Sequence, residues 1–228
     1  MKEKQHLANR PNQYRGKLDV AGIVTGMNAA VRSARRLLAD AELLQKSGRH
    51  PSAAALAILS IEESGKTRVL RLMSIAPDYK TLRDAWRDYR RHTSKNTHWV
   101  VGELIEGGAR QLRDFRPAVE SGDSAEQLNA VKQLAVYSDC YGDNAHWSEP
   151  GEAITAELAG FIIQQARIVL PAREVAQREM ELWVEQVGPS YATPAMGTAV
   201  IAWYAALKAE GLTEIEPDDV ARFMDDLA

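Results

Sequence analysis

Three features of this 228-residue chain predict an all-α fold, an antiparallel helical bundle. Apolar residues recur at three- and four-residue spacing in almost every cluster, and no stretch alternates as a half-buried strand does. Residues that start and stop helices punctuate the pattern every few turns. A hydrophobic content of 45% can supply a substantial core, and the length suits one large domain with at most a small appendage.

The elements follow in order. Asp19 opens a long first helix through "DVAGIVTGMNAAVRSARRLLADAELLQKSG", and Gly48 closes it. Pro51, at a first-turn position, starts a second helix that runs to about Ile75, where "APD" breaks it. Asp78 caps a third through "YKTLRDAWRDYRRHTSKNTHWVVGELIEGG". After the polar linker "ESGDS" a fourth helix reaches about Tyr141, and "GDNAHWSEPG" reads as a loop. A long fifth helix is expected from Glu152 toward Val187, bent at Pro171, where the backbone loses a donor. Two shorter helices, about 194–210 and 217–227, complete the chain. The expected organisation is a polar, partly flexible tail over 1–18, a bundle over 19–188 and a C-terminal helical appendage over 189–228.

Charge and composition exclude several classes. The net charge of −3 gives no global field that would draw nucleic acid or membrane. Charge is uneven, however: the first 17 residues carry five Lys/Arg against one acid, and the last 20 are strongly acidic. A single cysteine, Cys140, rules out an internal disulfide framework and a Cys-based zinc site. Apolar runs such as "AAALAILSI" fall short of the roughly 20 residues a bilayer span needs, and the amino terminus lacks a signal-peptide core. A soluble, cytoplasmic protein without membrane contact is expected.

The stretch "LSIEESGKTRVL" places charge inside an apolar stripe. Projected at about 100° per residue, Glu62 and Lys66 fall near the middle of the arc set by Ile58, Leu59, Val69, Leu70 and Met73, and Glu63 lies at its edge. Arg68, Arg71, Ser60 and Ser64 project to the far side. A buried carboxylate must find a partner or take a proton, and Lys66 stands at the favourable i, i+4 position from Glu62. Such a pair can serve helix register alone. The third helix supplies a second polar set: Asn96 projects into its apolar face, with His92 and Trp99 at the edge and Lys95 just beyond. Helices joined by a short link pack antiparallel, so Glu62, Glu63 and Lys66 are expected to face His92, Lys95 and Asn96, an arrangement able to tune acid/base groups.

The segments "NAAVRSARRLLADAELLQKSGRHPSAAALAILSIEESGK", "DAWRDYRRHTSKN" and "LAVYSDCYGDNAHWSEP", in that order, resemble the AbiV family of abortive-infection proteins, placed in the wider HEPN group of α-helical domains. The resemblance covers roughly residues 20–185 and rests on an "EExGK" segment, a later "HxxK" segment and a "YxD" followed by a proline-containing loop. It implies a HEPN-like bundle, commonly a homodimer, acting in bacterial anti-phage defence as a toxin that arrests the cell, with RNA or translation as target and a phage protein as trigger. Many HEPN ribonucleases carry Arg and His four to six residues apart, the His as acid or base and the Arg holding the scissile phosphate. Two pairs fit here, Arg87 with His92 and Arg91 with His98. Only Arg91 and His98 share a helix face; His92 belongs to the family-like "HTSK". The usual "RN" is absent, with lysine in "KNTH".

The candidate catalytic set is therefore His92, Lys95, Glu62, Glu63, Lys66, Arg87, Arg91 and His98, for a metal-independent endoribonuclease. Candidate RNA contacts are Arg87, Arg90, Arg91 and Lys95, in a basic stretch from Lys80 to His98 with Trp86, Tyr89 and Trp99 interleaved. Asp139, Asp143, Asn144 and His146 form a loop cluster that can close over the site or serve ordinary turn chemistry. No Glu-x-x-His pair or Cys/His spacing points to a metal, no Gly-rich phosphate loop occurs, and no cofactor is expected. The alternative is a non-catalytic helical module that inhibits translation or senses a phage protein by binding. The acidic tail from Glu210 to Asp226 is either a lid over the basic ridge or an amphipathic helix docked through Val220, Phe223, Met224 and Leu227.

Overall fold

A computed structural model describes residues 12–90, 124–141, 143 and 145–225. Helices dominate: α1 (Val20–Lys46), α2 (His50–Ser74), α3 (Tyr79–Arg90), α4 (Ser124–Val136), α5 (Pro150–Ala153), α6 (Ala156–Val169), α7 (Gln177–Gln186), α8 (Met196–Ala209) and α9 (Pro217–Asp225). Between α4 and α5 lies an antiparallel hairpin, β1 (Asp139–Tyr141) and β2 (His146–Ser148), with Cys140 opposite Trp147.

The α1–α2 hairpin is the spine. Asp19 caps α1 by accepting the Gly22 N–H at 2.7 Å. Gly48, at φ +71°, turns the chain so that the Arg49 N–H reaches back to the Leu44 carbonyl at 2.9 Å. Pro51 lies in the first turn of α2, and Asp78 accepts the Thr81 N–H at 2.7 Å at the start of α3. Alanines 53, 54, 55 and 57 of α2 are all buried, and the Ser60 hydroxyl donates to the Ala34 carbonyl of α1 at 2.8 Å across the seam.

Each end of the spine has its own core. Leu38 and Ala41 of α1 with Ile58 and Ile61 of α2 pack against Ala135 of α4 and Ile162, Ile163 and Ala166 of α6. At the other end Ile23, Met27, Leu70 and Met73 pack against Leu82 and Trp86 of α3, and against Met180, Trp183, Trp203 and Val220 from α7, α8 and α9. Each large apolar side chain buried this way contributes about 1.5–3 kcal/mol. The C-terminal helices thus share a core with the spine. Helix α9 docks through Val220 and Phe223, while Glu216, Asp219 and Glu210 pair with Lys208, Arg222 and Arg178.

Four expectations are corrected. Helix α2 packs against α1, α3, α4 and α6, so Ser60, Ser64 and Arg71, expected on its far side, are buried. It has little far side. The fourth helix ends at Val136, and much of the expected loop is the β1–β2 hairpin, its tip carrying Ala145 at φ +51°. The expected long fifth helix is three helices. Thr155 starts α6 by accepting the Leu158 N–H at 3.2 Å. At Pro171 the helix stops outright, because α1 meets the freed backbone groups: Arg35 donates to the carbonyls of Pro171 (3.1 Å) and Ala172 (2.7 Å), and Asn28 bonds both the N–H and the carbonyl of Val175.

Candidate functional site

The join between the two cores is where charge enters the bundle. Glu62, 2% exposed, lies on α2 just past Ile61, and its Oε1 accepts from Lys132 Nζ of α4 at 2.5 Å. Lys132 is itself buried. Neither ion is worth burying alone, and the pair stands because each cancels the desolvation cost of the other. One turn further along α2, Lys66 pairs with Glu63 instead of Glu62, and its ammonium lies 5.4 Å from the centre of the Tyr89 ring on α3. The Glu63 and Lys66 side chains keep 23% and 19% of their surface exposed.

The predicted residues divide accordingly. Glu62, Glu63 and Lys66 do occupy one polar cluster, but the expected Glu62–Lys66 pair is replaced by Glu62–Lys132 and Glu63–Lys66. A lysine three residues away suits Glu63, and the α4 ammonium reaches the deeper carboxylate. Lys132 was missed, although it sits among Leu128, Val131 and Ala135 at helical spacing, the same sign of a buried charge that marked Glu62. Arg91, His92, Lys95, Asn96, His98 and Trp99, as well as Asn144, lie outside the described residues.

Arg87 is exposed, yet its guanidinium is 3.0 Å from Asp84 Oδ1 and 3.7 Å from Asp88 Oδ1, so the ridge on α3 is partly neutralised by its own acids. Arg90 is engaged structurally. It donates to the carbonyls of Tyr14 (2.5 Å) and Trp86 (3.1 Å) and stands 5.1 Å from the Trp86 ring, while Trp86 Nε1 donates to the Gly16 carbonyl at 3.0 Å. Together they tie the segment before α1 to α3. Asp139, Asp143 and His146 are exposed on the hairpin, and Asp139 Oδ1 accepts the Cys140 N–H at 2.7 Å. Among the described residues, no group of three or more His, Cys, Asp or Glu is arranged to hold a metal ion.

A second buried network joins the spine to the C-terminal helices. The Arg71 guanidinium lies 5.7 Å from the ring centre of Trp183 and 5.2 Å from that of Trp203, and 3.6 Å from Glu179 Oε1. Arg173 donates to Glu179 Oε2 at 2.8 Å and to the Leu212 carbonyl at 2.7 Å. The two indole N–H groups donate to the carbonyls of Arg71 and Glu179. The sequence offered no expectation here, because helical projection placed Arg71 in solvent.

The arrangement has two parts. Glu62 and Lys132, shut inside the bundle, hold α2 and α4 in register. Glu63, Lys66 and Tyr89 are only partly buried, so this side of the cluster keeps contact with solvent. Among the described residues, no helix is long and apolar enough to cross a membrane.

The family model HEPN_AbiV, described as AbiV, matches residues 23–171. That span runs from α1 to Pro171 and contains every member of the Glu62 cluster. No curated protein and no solved structure matches the chain.

Proposed function

The chain belongs to the AbiV family of HEPN-like abortive-infection proteins, and from that premise we propose that it arrests an infected bacterial cell by acting on RNA of the translation machinery. The observation that carries this reading is the charged cluster at the core join: a deep Glu62–Lys132 pair supporting a reachable Lys66 beside Tyr89. Lysine attracts a phosphate, and the tyrosine ring offers a stacking face beside it. Glu62, at 2% exposure, acts through position and not by touching substrate. The HEPN-like candidates Arg91, His92, Lys95 and His98 follow Arg90 directly in sequence. In this reading His92 or His98 supplies acid/base chemistry without a metal, and the protein works as a homodimer released by a phage protein.

A second reading keeps the cluster architectural and makes the protein a translation inhibitor by binding. The closed pairing of Glu62 with Lys132 and Glu63 with Lys66 favours it. RNA end mapping after induced expression separates the two, comparing the natural chain with H92A, H98A and K66A. New 5′ or 3′ ends that vanish in a histidine variant establish cleavage. Growth arrest that persists without new ends establishes binding.

A further inference from the structure

We propose that the β1–β2 hairpin, with the turn leading into it from α4, is a docking surface for a cationic, partly apolar segment of another protein. The proposal goes beyond the RNA-directed reading and stands without it. Trp147 is 67% exposed and Tyr137 60%, with Val136 beside it at 50%. These large apolar side chains lie close together in sequence on and just before the hairpin, and exposed large apolar groups are a mark of interaction surfaces. Strand pairing fixes Trp147 opposite Cys140, so its backbone is held before any partner arrives.

Charge selects the partner. From Gln133 to Ala166 the chain contains no lysine or arginine. Asp139, Asp143, Glu149 and Glu152 are all exposed there, and among the described residues Asp143, Glu149 and Glu152 make no ion pair. Elsewhere several surface acids are paired: Glu42 with Arg167, Glu174 with Arg32, Glu216 with Lys208, and Glu181, Glu185 and Glu210 with the single Arg178. Exposed carboxylates in the same stretch of chain as an exposed indole suit an arginine-bearing segment, which gains charge pairing and a cation–π contact on the ring. The same carboxylates repel phosphate, so RNA is disfavoured at this face.

The test uses the full chain and a fluorescein-labelled twelve-residue peptide of Arg-Leu-Arg-Gly repeats, followed by anisotropy. Its Glu-for-Arg counterpart and a short uridine RNA serve as competitors. Saturable binding is expected, weakened at least tenfold by Trp147→Ser and also by the exposed pair Glu149→Gln/Glu152→Gln, with far-UV circular dichroism unchanged. Full affinity in both variants overturns the proposal, as does equal competition by the acidic peptide or displacement by the RNA. Sedimentation gives the remaining outcome: a dimer that Trp147→Ser dissociates, with peptide binding unaffected, makes the face a contact between copies and also overturns it.

Discussion

Lys132 Nζ and Glu62 Oε1 lie 2.5 Å apart across the interior of the bundle, joining helices 70 positions apart in the chain. Both side chains are nearly closed to solvent, at 11% and 3% exposure. Their pairing is what permits a carboxylate at the core join.

Lys132→Met should destabilise the protein by about 3–5 kcal/mol, because it removes the buried cation that pairs with the Glu62 carboxylate. Adding Glu62→Leu should recover most of that loss, since two apolar groups replace two ions. Urea denaturation of the natural chain, both single variants and the double variant measures the coupling. A double variant no better than Lys132→Met would show that Glu62 does not depend on Lys132.

Lys66→Met should cost far less, about 1 kcal/mol, because its partner Glu63 keeps access to water. Were Lys66 the main partner of Glu62, the loss would match that of Lys132→Met. Equal midpoints for Lys66→Met and Lys132→Met in the same denaturation series would overturn the assignment.

Glu179→Ala should leave the Arg71 guanidinium buried between Trp183 and Trp203 without its carboxylate and release Arg173, at a cost of about 3–5 kcal/mol. Near-UV circular dichroism should report the loss, since both indoles donate into this network. An unchanged spectrum with unchanged stability would mean that the network does not hold the C-terminal helices.

Acid should weaken two surface links. Hydrogen bonds from Arg178 hold the Glu210 carboxyl below its ordinary range, and the Thr81 N–H holds Asp78 low at the start of α3. A depressed carboxylate stabilises the fold above its unfolded-state pKa and loses that contribution as pH falls through the folded-state value. Glu210→Gln and Asp78→Ala should therefore lower stability at neutral pH and converge with the natural chain in acid. Parallel stability curves from neutral to acid pH would contradict both assignments.

Local chemistry is legible in the chain, and so are the ends it sets. Asp19, Gly48, Pro51 and Asp78 act on groups within a few residues, and each sits at the boundary expected for it. The burial of Glu62 also follows from helical period, because that period describes a face of one helix. Partner choice does not. Lys132 and Glu179 reach Glu62 and Arg71 from distant positions, and only packing brings them together. Arg71 and Ser64 looked exposed because a wheel assumes one wet side, whereas α2 is packed around by α1, α3, α4 and α6. The helix break at Pro171 was legible only as a bend, since the Asn28 and Arg35 contacts that make a full stop affordable come from α1. Short strands at Asp139–Tyr141 and His146–Ser148 are below the length at which alternation can be read. The chain alone determined which groups had to be satisfied, because desolvation is a property of each group. The tertiary structure decided what satisfies them, because that depends on which helices meet.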